Sequence, residues 1–164
     1  MKALRRKLYQ AVAKGKHFAA ASITVAAGVD ADRKTLAALI KLMETTGSVD
    51  WLRNANFAGW SFDWGRLSGI EEFASRKGPQ HEFIDRDLEK LRAAFFDRSR
   101  ELLNLLAIET YPVGHGDRQS VPDEWEEEQP ERFRRAVKEI HSAASKVCDS
   151  YDDLVRKARK KLLR

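Results

Sequence analysis

Five side chains in this 164-residue chain are of the types that most readily do chemistry: His17, His81, His115, His141 and the single cysteine, Cys148. A zinc site draws ligands in pairs about three to five residues apart, because such positions share a helix face or a tight loop. No two of these five stand at that spacing. His81 followed by Glu82 opens like a metalloprotease signature, but the second histidine is missing and position 85 is Asp85. Nor is there a glycine-rich phosphate loop or a nucleophile elbow. A lone cysteine excludes an internal disulfide or a thiolate cluster and suits a reducing compartment; beside an apolar helical seam, Cys148 reads as a small buried hydrophobe. Gly114, His115, Gly116 and Asp117 put an acid and a base together on a turn-rich connection, where general acid–base chemistry can be housed. The same residue types are ordinary turn formers. The sequence therefore assigns no catalytic, metal-ligating or cofactor-binding residue, no cofactor and no small-molecule substrate.

Charge is the second chemical resource. Six bases and no acid lie between Met1 and Lys16, and six more lie between Val155 and Arg164, which leaves the middle with 18 bases against all 25 acids. Basic ends can meet a polyanion, either DNA or an anionic membrane surface, through counterion release and surface potential, with Arg5, Arg6 and Lys7 as first contacts. They can equally meet the chain's own acidic middle, and bases also suit the C-terminal end of a helix dipole. Ile23 to Val29 followed by a helix from Lys34 to Met43 has the order of a helix-turn-helix, with Arg33, Lys34 and Lys41 as base-reading candidates and Thr46 to Trp51 as a wing. The intervening GVDADRK is longer than the usual turn, and its Asp30 and Asp32 place negative charge where phosphates would sit.

These residues need elements to position them. Lys2 to Lys14 puts Leu4, Leu8, Ala11 and Val12 on one face of a short amphipathic helix that Gly15 ends. The apolar stretch Phe18 to Val29 would span about 18 Å as a helix, too short for a bilayer, and reads as a core helix or strand. A secretory signal with a cleavage region near Ala27 to Ala31 is the alternative. Asp30 is the expected N-cap of a helix carrying Leu36, Leu39, Ile40 and Met43, which Gly47 closes. Within residues 51–64, Trp60, Phe62 and Trp64 alternate as in an extended segment, close to Trp51 and Phe57. Such a cluster is a core, or a surface that stacks bases or a peptide. A helix from Asp63 to Ser75 buries Leu67, Ile70 and Phe73 before the break at Lys77, Gly78 and Pro79.

The second half is more regular. From an N-cap at Asp85, Leu88, Leu91, Phe95, Arg98, Leu102, Leu105 and Glu109 recur at three- and four-residue steps. A connection over residues 111–122 holds two glycines and two prolines. Phe133, Val137, Ile140, Ala144, Val147, Tyr151, Leu154 and Ala158 then form an uncharged seam, with Pro130 at the start of its helix and Glu126 to Glu128 just before it. The expected fold is all-α: a helical region over 1–79 packed on a long antiparallel helical hairpin over 80–164. Arg98, charged within the first seam, is expected to pair with Glu139 or Asp149 and to set the hairpin's register.

DRKTL (Asp32 to Leu36), HEFID (His81 to Asp85), VPDEWEEEQPERF (Val121 to Phe133) and YDDLVRKARKKL (Tyr151 to Leu162) together resemble a set of uncharacterised bacterial proteins whose helical region often follows a membrane segment. The resemblance implies a helical module of bacterial type and carries no activity. The functional expectation is a non-enzymatic interaction or structural protein whose partner is a protein, a second copy included. The alternatives are a DNA-binding regulator and a peripheral membrane protein. The expected location is cytoplasmic, with attachment to a membrane surface as the variant.

Overall fold

The computed structural model describes residues 26–163, so Arg5, Arg6, Lys7, the helix expected over 2–14 and most of Phe18 to Val29 lie outside the described residues. Helix α1 covers 26–46 without interruption. This corrects two expectations: Asp30 is not an N-cap, and the turn of a helix-turn-helix is absent at Gly28 to Asp32. Alanines at 26, 27 and 31 favour helix, and Gly28 sits where the Ile84 side chain packs 3.7 Å from the position its Cβ would take. Asp32 turns inward instead of capping its own helix. Its carboxylate, 3 % exposed, accepts the Ile84 N–H at 2.6 Å and the Asp85 N–H at 3.0 Å.

Gly47, at φ 64°, closes α1 in the left-handed region, and α2 (Ser48–Asn54) follows at once. The expected wing is therefore a helix. Ser48 is buried and accepts the Gly69 N–H at 3.0 Å, while Val49 and Leu52 enter the core. Strand β1 (Phe62–Asp63) leads to a 3-10 turn, Trp64–Leu67, capped by the Asp63 carboxylate on Gly65 N–H at 2.8 Å, and then to α3 (Ser68–Ser75). Leu67, Ile70 and Phe73 are buried as expected. The alternation of the tryptophans carries less: Phe62 is buried while Trp60 is 68 % exposed.

Asp85 caps α4 (Arg86–Glu109) by accepting the Asp87 and Leu88 N–H groups. Helix α6 (Pro130–Leu162), about 50 Å long, begins with its proline in the first turn and runs antiparallel to α4, which is about 36 Å long. This is the all-α hairpin the sequence implies. Residues 111–122 are more ordered than a loop. Tyr111–Pro112 (β2) and Arg118–Ser120 (β3) form a hairpin turning through Gly114 and Gly116, both at positive φ. Strand β3 is central in the order β1-β3-β2, pairing Phe62 with Gln119 and Tyr111 with Ser120. The connection thus stitches the N-terminal region onto the hairpin. The acidic run is itself a helical turn, α5 (Glu124–Glu128), whose buried Trp125 lies under the Arg132 guanidinium at 3.5 Å from the ring centroid.

Helices α1, α2 and α3 cover one side of the α4–α6 pair. Phe73 stacks on Phe95 at 4.4 Å, the Cys148 thiol faces the Val49 carbonyl, and Arg53 grips Asp152 with two bonds of 2.6 and 3.0 Å. The buried side of α4 is Leu88, Phe95, Ser99, Leu102 and Leu106. Arg98 accordingly lies in water, its side chain 47 % exposed, and pairs at 2.7 Å with Glu101 of its own helix. The register-setting role expected of it is corrected. Helix α4 faces α6 and α3 together, so its buried stripe is turned away from Arg98 towards Ser99, with Phe96 and Leu103 packed at its margin.

Candidate interaction face

That rotation leaves a second stripe on α4. Leu91, Ala94, Arg98, Glu101, Leu105 and Ile108 follow one another at steps of three and four, so they share one flank of the helix, opposite the flank that meets α3. Glu139, Ser142, Lys146, Asp153 and Lys157 flank α6 on the corresponding side, whereas His141, Cys148 and Asp152 meet α2 and its following loop on the other. Among the described residues no element covers this side. Leu91 and Leu105 are half-buried, and Ile108 is 63 % exposed.

Two grooves lie along it. The first, enclosing about 690 Å³, has a floor of Leu105, Ile108 and Ala143, with Arg134, Arg135, Lys138 and Lys146 facing Glu101 and Glu139 around it. The second, about 630 Å³, lies between Leu88 and Leu91 and the basic end of α6, where Lys90, Lys157, Lys160 and Lys161 face Asp87. Of these eight cations only Lys161 is in an ion pair among the described residues, at 2.6 Å from Asp85 and 3.2 Å from Asp87. The Asp85 and Asp87 carboxylates raise the Lys161 ammonium above its ordinary value, and Lys161, with the backbone N–H groups of Leu88 and Asp87, holds the Asp85 carboxyl below its own. Arg98, and Lys146 from across the groove, lower the Glu101 carboxyl in the same way. The face is an apolar furrow with a net basic rim.

Most residues singled out from the sequence lie elsewhere. Arg33 is occupied: its Nε donates to the Leu162 carbonyl at 2.8 Å, closing the C-terminus of α6, and its Nη1 reaches Asp30. Lys34 and Lys41 are exposed on α1, away from the grooves. Trp51, Phe57, Phe62 and Trp64 form a chain of ring contacts, and His141 accepts the Phe57 N–H through Nε2 at 3.3 Å. They are a core with a histidine at its edge. His115 and Asp117 sit exposed on the β2–β3 turn, where the Asp117 carbonyl accepts the Trp64 N–H at 2.9 Å. Burial raises the Cys148 thiol above its ordinary value, opposite to the shift that activates a nucleophile. Among the described residues no three His, Cys, Asp or Glu side chains converge as a metal site, and no helix is long and apolar enough to cross a membrane.

The grooves themselves were not visible from the seam pattern. Leu91 and Leu105 belong to the expected α4 seam, and Arg134, Arg135, Lys138 and Lys146 fall outside the uncharged α6 seam. The available signal was the width of the α4 pattern: apolar residues at 88, 91, 95, 102, 105, 106 and 108 cover more of the helix than one partner helix can bury. Comparison with protein-family models, curated proteins and solved structures finds no match to the chain.

Proposed function

We propose that this chain is a non-enzymatic helical interaction protein, of the bacterial type its motifs resemble, and that a partner protein docks on the open side of the α4–α6 pair. The observation that carries the reading is the placement of Leu105 and Ile108. They sit at helical spacing on an uncovered flank, where with Ala143 they make the apolar floor of the first groove. Full burial of a side chain of this size is worth about 1.5–3 kcal/mol, of which Ile108, 63 % exposed, has most still to gain and half-buried Leu105 the smaller part, so a partner that seats both recovers a useful part of the cost of association. Isolated exposed apolar residues need no explanation, but an apolar row rimmed by charge is the usual form of a docking groove.

The test compares extracts of cells making the wild type or Ile108→Asp at native levels by size-exclusion chromatography. The wild type is expected to elute in a complex heavier than the free chain, and the variant at the position of the free chain. Because Ile108 is largely exposed, the substitution leaves the fold intact, which circular dichroism verifies. Identical elution of the two proteins contradicts the reading.

A further inference from the structure

We infer that the partner presents an acidic amphipathic helix to this face; the inference rests on the docking reading above and specifies its occupant. Three features of the face select that occupant.

The first is shape. The lining residues of the two grooves run from Arg134 to Lys161 along α6, a rise of about 40 Å at ~1.5 Å per residue. The facing row on α4 from Leu91 to Ile108 steps by three and four. Two antiparallel helices with rows of this spacing leave between them the seat of a third helix, whose ridges fit the same spacing.

The second is charge. The first groove has four cations and two carboxylates in its lining, the second four cations and one carboxylate, and seven of the eight cations make no ion pair among the described residues. Carboxylates on the flanks of an incoming helix would find partners in both grooves, while between them Asp153 and Arg98 already have partners in Arg156 and Glu101. The same sign excludes other occupants. Residues 1–16 of this chain carry six bases and no acid, and a second copy seated face to face would oppose cation to cation.

The third is the apolar floor. A phosphodiester backbone would satisfy the cations but leave Leu91, Leu105 and Ile108 in water, and a membrane surface cannot follow a furrow between two helices. Only an amphipathic segment satisfies both the floor and the rim.

The full chain is titrated, with fluorescence anisotropy as readout, into a labelled peptide of about 28 residues that places Leu at three- and four-residue steps and Glu elsewhere. The controls are a scrambled peptide of the same composition, labelled duplex DNA and anionic phosphatidylglycerol vesicles. At about 0.15 M salt, where exposed charges are screened beyond ~8 Å, the amphipathic peptide is expected to bind at least about tenfold more tightly than the scramble. Ile108→Asp and Lys138→Glu are each expected to weaken it by about tenfold, with their circular dichroism unchanged. Equal binding of the scramble overturns the inference in favour of charge alone. Preference for DNA or for vesicles overturns it in favour of those ligands, and undiminished binding by both variants places the site elsewhere. Absence of peptide binding overturns the inference outright. If Ile108→Asp nevertheless releases the complex seen by chromatography, the docking reading stands and only the class of partner is wrong.

Discussion

Asp32 offers the sharpest test of how the N-terminal layer is fastened to the hairpin. Its carboxylate, buried in mid-α1, accepts the N–H groups of Ile84 and Asp85, immediately before α4 begins. Hydrogen bonds to a charged group contribute about 1.5–3 kcal/mol each. Ile84 is largely exposed, so water replaces part of its bond when the carboxylate is removed. The expected loss for Asp32→Ala is therefore about 2–4 kcal/mol, less than the simple doubling. With a urea slope of about 2 kcal/mol per molar, the unfolding midpoint falls by about 1–2 M. Amide exchange at Ile84 and Asp85 is expected to quicken in the same variant. Asp30→Ala is the matched control. Asp30 is exposed and pairs only with Arg33 at 3.0 Å among the described residues, so its removal is expected to cost no more than about 0.5 kcal/mol. An N-cap at Asp30 would reverse the ranking, with about 1 kcal/mol lost there and little at Asp32. If Asp32→Ala costs no more than Asp30→Ala, the clamp on the start of α4 is wrong.

Three further outcomes follow from the same contacts. A Cβ on Gly69 would clash with Thr46 Oγ1 and lie 3.0 Å from Ser48 Oγ, so Gly69→Ala is expected to destabilise by about 1–3 kcal/mol in chemical denaturation, and an unchanged midpoint contradicts the close approach of α3 to the corner between α1 and α2. Lys161 and the α4 backbone depress the Asp85 carboxyl, so its contribution is complete above the ordinary carboxylate value near ~4 and is lost as pH falls through the lower folded value. Asp85→Ala is accordingly expected to cost about 1 kcal/mol at pH 7, with the difference from wild type closing only below about pH 4; a gap independent of pH contradicts the charged cap. Arg98→Leu is expected to stay within about 0.5 kcal/mol of wild type with the oligomeric state unchanged, since Arg98 and Glu101 form an exposed pair; a large change in melting temperature would restore a buried role.

Much of the fold is legible in the residues because the physics is local. Asp85 as N-cap, Pro130 in the first turn of α6 and the α6 seam through Ile140, Val147 and Leu154 depend on one helix at a time, and each is found where periodicity places it. What depends on two elements together is not so readable. The turn expected at Gly28 to Asp32 is helix because Asp32 serves a backbone 52 residues away, a partner no local pattern reveals. The strands at Tyr111–Pro112 and Arg118–Ser120 are too short for alternation to register; they pair with each other, and only Arg118–Ser120 reaches across to Phe62 and Asp63. A seam drawn for a two-helix hairpin has α4 facing α6 alone. With α3 also to be met, the helix turns, Arg98 moves into solvent, and Leu91 and Leu105 become the edge of a groove. The candidate site was thus encoded as a surplus of apolar width, visible only once the buried stripe is known.

The most direct test of docking on the α4–α6 face is site-by-site photo-crosslinking in living cells of the chain's own organism. A photoreactive phenylalanine analogue is placed in turn at Leu91, Leu105, Ile108 and Ser142 on the open side, and at Lys41, Arg66 and Ser145 away from the grooves. A partner seated between the helices is expected to give one discrete adduct of the same mass from the open-side positions and none from the others. Adducts of equal yield from both sets, or none from the open side, contradict the account.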